Sequence, residues 1–268
     1  EVIPPDLAHL SAGRDDTLGS WRREELRAAM STLGVTHSVL GEVLTRGSRG
    51  RASRYRDSGM AGTASARHPD AFVRADPGEA AAMVAAHIRA LRPDVVVTYD
   101  AQGGYAHPDH IQTHRVTMSA LSILAAESEA GGVAAPRAFC ILTPAGWASQ
   151  DREWLQENVA TDSTSCIVLQ QDEPYPPSVV SDEIVTHIVK EPTMVELQSR
   201  ALAQHATQAI MYDGYYALSN RVASRLAGRE GFARFDPVAG HLVPAAGDGG
   251  ASPYNGLLEP LHLGSGHR

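Results

Sequence analysis

Residues 95–114 read VVVTYDAQGGYAHPDHIQTH. Its opening is an uninterrupted β-branched run, typical of a strand that is buried on both faces of a parallel sheet. Two glycines follow, and His107, Asp109 and His110 then arrive within four positions at the start of a helical pattern. Ligands of open α/β sheets bind outside the carboxyl ends of the strands, so we expect the functional site in this loop.

The amino-acid composition argues against several classes of protein. The chain has 268 residues and a formal net charge of −8, with 23 Lys and Arg against 31 Asp and Glu. An acidic chain without a basic block is a poor candidate for binding nucleic acid or an anionic membrane surface. No run of eighteen apolar residues is present, and two cysteines cannot form a disulfide framework. These features predict a soluble, cytoplasmic protein with reduced, buried cysteines.

Apolar periodicity predicts the order of the elements in the first half. A helix is expected over residues 20–35 with Ser20 as its N-cap, followed by a long loop over residues 44–70. The next expected elements are a helix over residues 76–93, a strand over 94–100, a helix that begins with the HPDH stretch, and a strand over 137–144. Alternating helices and buried strands indicate an α/β fold, a Rossmann-like, mostly parallel sheet.

The pattern changes after residue 144. We expect a half-exposed strand over residues 183–190, a helix over residues 192–208 and a loose tail from Gly240 onward. The predicted organisation is a Rossmann-like core over residues 1–145, with the helix at 192–208 packing on it. A smaller mixed subdomain with the tail would cover residues 146–268.

The histidines are the candidates for chemistry. An imidazole suits zinc, and a second imidazole with a carboxylate partner suits acid–base work, so His107, Asp109 and His110 together predict a catalytic or metal site. His114 lies one turn beyond His110 and could share its face, although histidines at this spacing are common on helices that have no metal.

The same stretch resembles the strand-loop-helix signature of the LmbE-like, or PIG-L, family of zinc-dependent N-acetylglucosaminyl deacetylases. RYRDSGMAGT (residues 54–63) and ALAQHATQ (residues 201–208) are similar to the mycothiol branch of that family. Within the branch, DSGMAGT is more similar to the deacetylase of N-acetylglucosaminyl-inositol than to the mycothiol conjugate amidase. The resemblance covers residues 1–208 and is weakest over residues 147–181.

The resemblance implies an amidohydrolase that uses one zinc ion per subunit, with iron as another possible metal, on an acetylated amino-sugar inositol. It makes His110 a metal ligand and His107 the group that stabilises the oxyanion or protonates the leaving amine. It also makes Asp109 the partner that tunes His107, and Tyr105 a contact to the substrate carbonyl. The remaining implied residues line the sugar and inositol pocket: Arg22, Asp57 and Met60.

The sequence departs from the family in one respect. No HPDDE-type motif follows a strand, although that motif supplies two further zinc ligands and the general base. RDD at residues 14–16 and RHPD at residues 67–70 lack a preceding buried run. We therefore expect that the opening strand, helix and strand of the family are missing, which leaves the activity of this chain open.

Several alternatives to the deacetylase remain. One is a mycothiol conjugate amidase or another LmbE-like deacetylase, and another is a catalytically incompetent remnant that binds a sugar or a partner protein. A metal phosphoesterase is the third, although it would require a second carboxylate cluster at a strand end.

Overall fold

The structure is a computed structural model. It describes residues 5–11, 14, 16–44, 51–131, 134–159, 166–244 and 254–258. No helix in these ranges is both long enough and apolar enough to cross a membrane.

Helices and short strands alternate along the chain. The helices are α1 (Leu18–Leu33), α2 (Pro77–Leu91), the single distorted turn α3 (Gly103–Ala106), α4 (Pro108–Glu129), α5 (Ala145–Asn158) and α6 (Val195–Leu202). The strands are β1 (Glu42–Leu44), β2 (Arg51–Ser53), β3 (Val95–Tyr99), β4 (Arg137–Pro144), β5 (Val179–Val180), β6 (His187–Lys190), β7 (Ala209–Met211), β8 (Tyr215–Leu218), β9 (Ala223–Arg225), β10 (Arg229–Asp236), β11 (His241–Leu242) and β12 (Tyr254–Asn255).

The main sheet is open and mixed. Its strand order is β12-β6-β10-β4-β3, with β5 beside β4 and β11 beside β10. β3 and β4 run parallel, joined by the crossover helix α4, and β10 is antiparallel to both β4 and β6. The predicted α/β, Rossmann-like class is confirmed. A separate antiparallel sheet, β7-β8-β9, follows α6.

The main core lies between the sheet and the helices α2 and α4. Small side chains on α2 (Ala81 and Ala85, both at most 1% exposed) let it approach α4 closely. Leu121 on α4 is fully buried, and Cys140 on β4 is 1% exposed in the same cluster. Burial raises the pKa of the Cys140 thiol to about 12, so Cys140 is a packing residue rather than a nucleophile.

Several predicted elements are confirmed within a few residues. α2 begins after Asp76, whose side chain accepts a hydrogen bond from the Glu79 amide and caps the helix. The prediction that Ser20 caps the first helix was wrong, because α1 begins two residues earlier, after Thr17. The expected helix over residues 192–208 is shorter: α6 ends at Leu202 and is followed by turns.

Two expectations about burial and loops need correction. The strand predicted to be buried on both faces is β3, but Val97 is 40% exposed, so that prediction was wrong for the face that carries Val97. Among the described residues β3 pairs only with β4 and is an edge strand. The region 44–70 was predicted as loop throughout, yet it contains β2, which pairs antiparallel with β1. Residues 45–50 of it lie outside the described residues.

The division at residue 145 stays a prediction. The main sheet takes strands from both sides of that position, since β10 lies between β4 and β6. Helix α6 contacts α1. Much of the tail predicted to be loose, residues 245–253 and 259–268, lies outside the described residues, as does Glu1.

The core packing gives a direct prediction. Replacing Leu121 with Ala should lower the free energy of unfolding by about 2–5 kcal/mol, because it leaves a cavity between α4 and the sheet. Leu91, which is 63% exposed at the end of α2, is the matched control. Leu91→Ala should change stability by no more than about 0.5 kcal/mol. Urea denaturation followed by circular dichroism measures both, and equal losses would contradict this description of the core.

Candidate active site

The site is built on the loop that follows β3. Asp100 is 7% exposed at the carboxyl end of that strand. Its carboxylate accepts hydrogen bonds from the amides of Gln102 (2.7 Å) and Gly104 (2.8 Å). Two backbone donors on one buried carboxylate fold the chain into a tight turn, so the loop has a defined shape before any ligand arrives.

Glycine is required in this turn. Gly103 and Gly104 have φ of 67° and 72°, a region that side chains disfavour. At Gly103 an added Cβ would lie 2.7 Å from the Ile111 amide nitrogen and 3.0 Å from the His110 Cβ. The close approach of the loop to α4 therefore depends on the absence of a side chain. Ala106 also has a positive φ, 67°, which is strained for an alanine.

His110 is held on three sides. Its Nδ1 lies 3.2 Å from the Gly103 carbonyl oxygen, and the Tyr99 ring stacks on its ring at 4.0 Å and 4°. Tyr105 meets it edge-on, with ring centroids 5.1 Å apart. Burial lowers the pKa of His110, and the neighbouring His107 lowers it further. A neutral imidazole whose Nδ1 donates to a carbonyl presents Nε2 as a metal ligand.

His107 and Asp109 lie at the amino end of α4. His107 is the N-cap residue, and its Nδ1 accepts a hydrogen bond from the Asp109 amide at 3.2 Å. With Nδ1 used as an acceptor, the proton of the neutral ring lies on Nε2. Asp109 Oδ2 accepts from the Ser58 amide at 2.9 Å, whereas its buried Oδ1 has no partner among the described residues. That oxygen is an unused acceptor in the same cluster as the imidazole.

Tyr105 lies at the mouth of the site and is 47% exposed. Burial raises the pKa of its phenol, and the charges of Tyr99 and Asp57 raise it further. The phenol is therefore a hydrogen-bond donor at neutral pH. The carbonyl of Gly104, just before it, accepts a hydrogen bond from the Ser178 amide at 3.0 Å, so a segment far along the chain also supports this loop.

The expected substrate residues come from α1 and the loop after β2. Arg22 contacts Asp57 Oδ2 through its NH1 at 3.4 Å, and Asp57 Oδ1 accepts from the Gly59 amide. Asp57, His107 and Asp109 place ligand atoms within 4.8 Å of one another. Met60 is three residues beyond Asp57 and 48% exposed. The structure thus brings Arg22 and Asp57 together beside the histidines.

The fit to a catalytic metal is partial. His110 meets the requirements of a ligand, but a catalytic zinc takes three protein ligands. The cluster of Asp57, His107 and Asp109 is a weaker donor set, since Asp57 already contacts Arg22 and Asp109 accepts from the Ser58 amide. Among the described residues, His110 is the group whose protonation, tautomer and orientation all suit a metal.

Two motifs that might have replaced the missing ligands lie elsewhere. His68 and Asp70 of the RHPD stretch are exposed and 3.9 Å apart, in a turn of their own. Asp16 forms an ion pair with Arg56. His114 has a structural role, because its Nδ1 lies 2.8 Å from the Tyr99 carbonyl oxygen and its ring is buried against Phe235.

Sequence reasoning missed several supporting residues. Ser58 is fully buried and links three parts of the site: its amide donates to Asp109, its Oγ accepts from the Val73 amide, and its carbonyl accepts from Thr63 Oγ1. The DSGM stretch contained the signal, because a small polar residue between Asp57 and Gly59 is typical of a tight turn. No role was predicted for Tyr99 and Asp100 beyond the strand over residues 94–100.

The sequence is similar to that of known deacetylases. Residues 6–121 match the family model PIG-L, described as GlcNAc-PI de-N-acetylase. The chain is 40% identical to a 1D-myo-inositol 2-acetamido-2-deoxy-alpha-D-glucopyranoside deacetylase of Streptomyces scabiei over 235 residues, 86% of this chain and 70% of that protein. Proteins of the same name from Thermobispora bispora and Thermobifida fusca are 38% and 39% identical. The first alignment covers 99% of this chain and 85% of the relative; the second covers 87% and 77%.

The glycine turn gives a testable prediction. Gly103→Ala should displace His110 and weaken metal binding, because the new Cβ meets the α4 backbone. We expect Gly103→Ala to lower the free energy of unfolding by roughly 1–3 kcal/mol more than the backbone strain alone would. Gly34→Ala is the matched control: its φ of 69° is nearly the same, but no atom lies within 4 Å of the added Cβ. Urea denaturation and metal titration measure the difference. Equal effects in both variants would rule out the steric explanation.

Proposed function

Since the chain belongs to the PIG-L family of GlcNAc-PI de-N-acetylases, we propose that it hydrolyses the acetamide of an N-acetylglucosaminyl-inositol in mycothiol biosynthesis. The observation that carries the proposal is the convergence of its three motifs. The HPDH helix start, the DSGM turn and the HATQ turn meet around His107 and Asp57, with Arg22 between the last two. The identities of 36–40% to deacetylases of this name support it.

A divalent metal fits the proposal, and we infer zinc, with iron as the alternative. His110 would hold it through Nε2, and a bound metal would supply Lewis acidity at the reacting carbonyl. The resemblance assigns the other ligands to a motif that is not in this sequence. The residues of this chain that would act on the substrate are His107, Asp109 and Tyr105.

His107 is placed to move a proton. Its Nε2–H can donate to the oxygen on which negative charge develops, or to the leaving nitrogen of the glucosamine. The Asp109 amide donates to Nδ1 and so keeps the His107 proton on Nε2, while the Ser58 amide holds the Asp109 carboxylate in place. Tyr105, whose phenol stays protonated, can donate a second hydrogen bond to the same carbonyl.

The substrate class follows from the pocket beside these groups. Arginine only donates hydrogen bonds and a carboxylate only accepts them, while each hydroxyl of a polyol does both. The pair Arg22 and Asp57 therefore suits neighbouring hydroxyls of the inositol, with the exposed thioether of Met60 available for contact with a ring face. The proposed partner is this small molecule. The cytoplasmic location and the lack of nucleic-acid and membrane partners stay predictions from the composition.

The experiment is hydrolysis by the metal-loaded chain. Release of free amine should be faster, in kcat/KM, for N-acetylglucosaminyl-inositol than for a bulky mycothiol conjugate. A preference for the conjugate would favour the amidase alternative. Stoichiometric metal without hydrolysis of either compound would favour the non-catalytic remnant, and hydrolysis of p-nitrophenyl phosphate alone would favour the phosphoesterase.

The two histidines should respond differently to replacement. His107→Ala should lower kcat about a hundredfold or more while the metal is retained, the scale of losing one proton donor or oxyanion partner. His110→Ala should lose the metal. His87→Ala, which changes an exposed histidine of α2 outside the site, controls for general loss of an imidazole. Mass spectrometry measures the bound metal of each variant, and steady-state kinetics measures its kcat. If His107→Ala loses the metal and His110→Ala keeps it, the roles assigned to the two histidines are reversed.

A further inference from the structure

The HATQ turn makes a buried contact that the proposed mechanism does not use. Thr207 is 2% exposed, and it donates two hydrogen bonds to Glu25, from its amide (2.9 Å) and from its Oγ1 (2.7 Å). Glu25 is 7% exposed on the inner face of α1. A buried carboxylate is costly unless it is hydrogen-bonded, so these two donors fix Glu25 and Thr207 to each other.

The contact continues into the site. The Thr207 hydroxyl, which donates to Glu25, also accepts a hydrogen bond from Arg22 Nε at 3.4 Å. On its other side the Arg22 guanidinium reaches Asp57 Oδ2. The series of contacts therefore runs from Glu25 to Thr207, then to Arg22 and finally to Asp57. Because the hydroxyl proton points to Glu25, its lone pairs face the guanidinium, and one arrangement of this chain is favoured.

Local structure explains why Thr207 can reach α1. Helix α6 contacts α1 and ends at Leu202, and the chain then turns. The amides of Gln208 and Ala209 both donate to the His205 carbonyl, which closes the turn around Thr207. The turn has no contact with the reacting groups among the hydrogen bonds of the described residues. Its effect on the site passes through Arg22.

We infer that Glu25 and Thr207 are positioning residues that hold the Arg22 guanidinium against Asp57 and thereby set recognition of the polyol part of the substrate. This inference rests on the proposed function. It assigns a purpose to the HATQ turn, which lies outside the part of the chain matched by the family model. A long, flexible arginine side chain loses affinity for a ligand when it is not preorganised, because it must then be ordered on binding.

The test compares two ligands on the metal-loaded chain, N-acetylglucosaminyl-inositol and the methyl glycoside of N-acetylglucosamine, which lacks the inositol. Calorimetry gives the affinity for each, and amine release gives kcat and KM separately. Thr207→Val keeps the size of the side chain and removes the hydroxyl. It should weaken binding of the inositol compound about tenfold, the scale of a lost hydrogen bond to a charged group. Binding of the methyl glycoside and kcat should change by less than about twofold.

Conservative and control variants sharpen the comparison. Thr207→Ser restores the hydroxyl and should restore discrimination between the two ligands. Glu25→Gln should act in the same direction as Thr207→Val, since it weakens the acceptor that orients the hydroxyl. The matched controls are Thr193→Val and Glu24→Gln, which change exposed residues of the same types and should leave discrimination unchanged.

The outcomes distinguish failure of this inference from failure of the proposed function. Unchanged discrimination in Thr207→Val, or equal weakening of both ligands, overturns the inference and leaves the proposed function in place. Binding of the inositol compound without amine release overturns the proposed hydrolysis, while the affinities still test the inference. If Thr207→Val does not fold, Glu25→Gln decides by the same measurement. Failure of both variants to fold overturns the inference in favour of a purely structural contact.

Discussion

The hydrogen bonds of the Asp100 carboxylate are the constraint on which the site depends. A buried carboxylate at the end of β3 satisfies two amides of the following turn, and that turn brings the Gly103 carbonyl to His110. The ring of His110 is then fixed between this carbonyl and the face of Tyr99. The position of His110, the proposed metal ligand, is therefore set by the backbone of the preceding turn.

The same turn places His107 and His110 in different surroundings. They are three positions apart at the start of α4, with ring centroids 4.8 Å apart. His110 is driven toward its neutral form by burial and by its neighbour. His107 caps the helix and lies in the same cluster as the Asp109 carboxylate, whose second oxygen has no partner among the described residues. One short segment thus offers the proposed metal ligand and the proposed proton donor, the two groups that amide hydrolysis with a metal would use.

The sequence predicted the elements near this turn well, because buried β-branched runs and helix starts leave strong periodic signals. α2, β3, α4 and β4 lie where they were expected, and His107, Asp109 and His110 come together as expected. The supporting residues were not predicted. The DSGM stretch indicated the turn that holds Ser58, but the contacts that Ser58 and Thr207 make with residues 51 and 182 positions away leave no pattern in a single sequence. The exposure of Val97 was missed because a β-branched run does not show how many partner strands are present.

Family membership and substrate class are supported by different observations. The relatives fix the family, while the arrangement of Arg22 and Asp57 gives a physical reason for a polyol substrate. The proposed recognition of the polyol rests on Arg22 and Asp57, whereas the proposed hydrolysis rests on the histidines, so the two proposals can be tested separately.

The contact between Arg22 and Thr207 joins residues 185 positions apart. Contacts of such high sequence separation form only after the intervening chain has been ordered, since closing a long loop costs entropy that local contacts do not repay. A polyol that binds at Arg22 therefore recognises the completely folded chain and not its partly folded states. By mass action it would shift the folding equilibrium toward the native state, so the substrate of such a site would also act as its stabiliser.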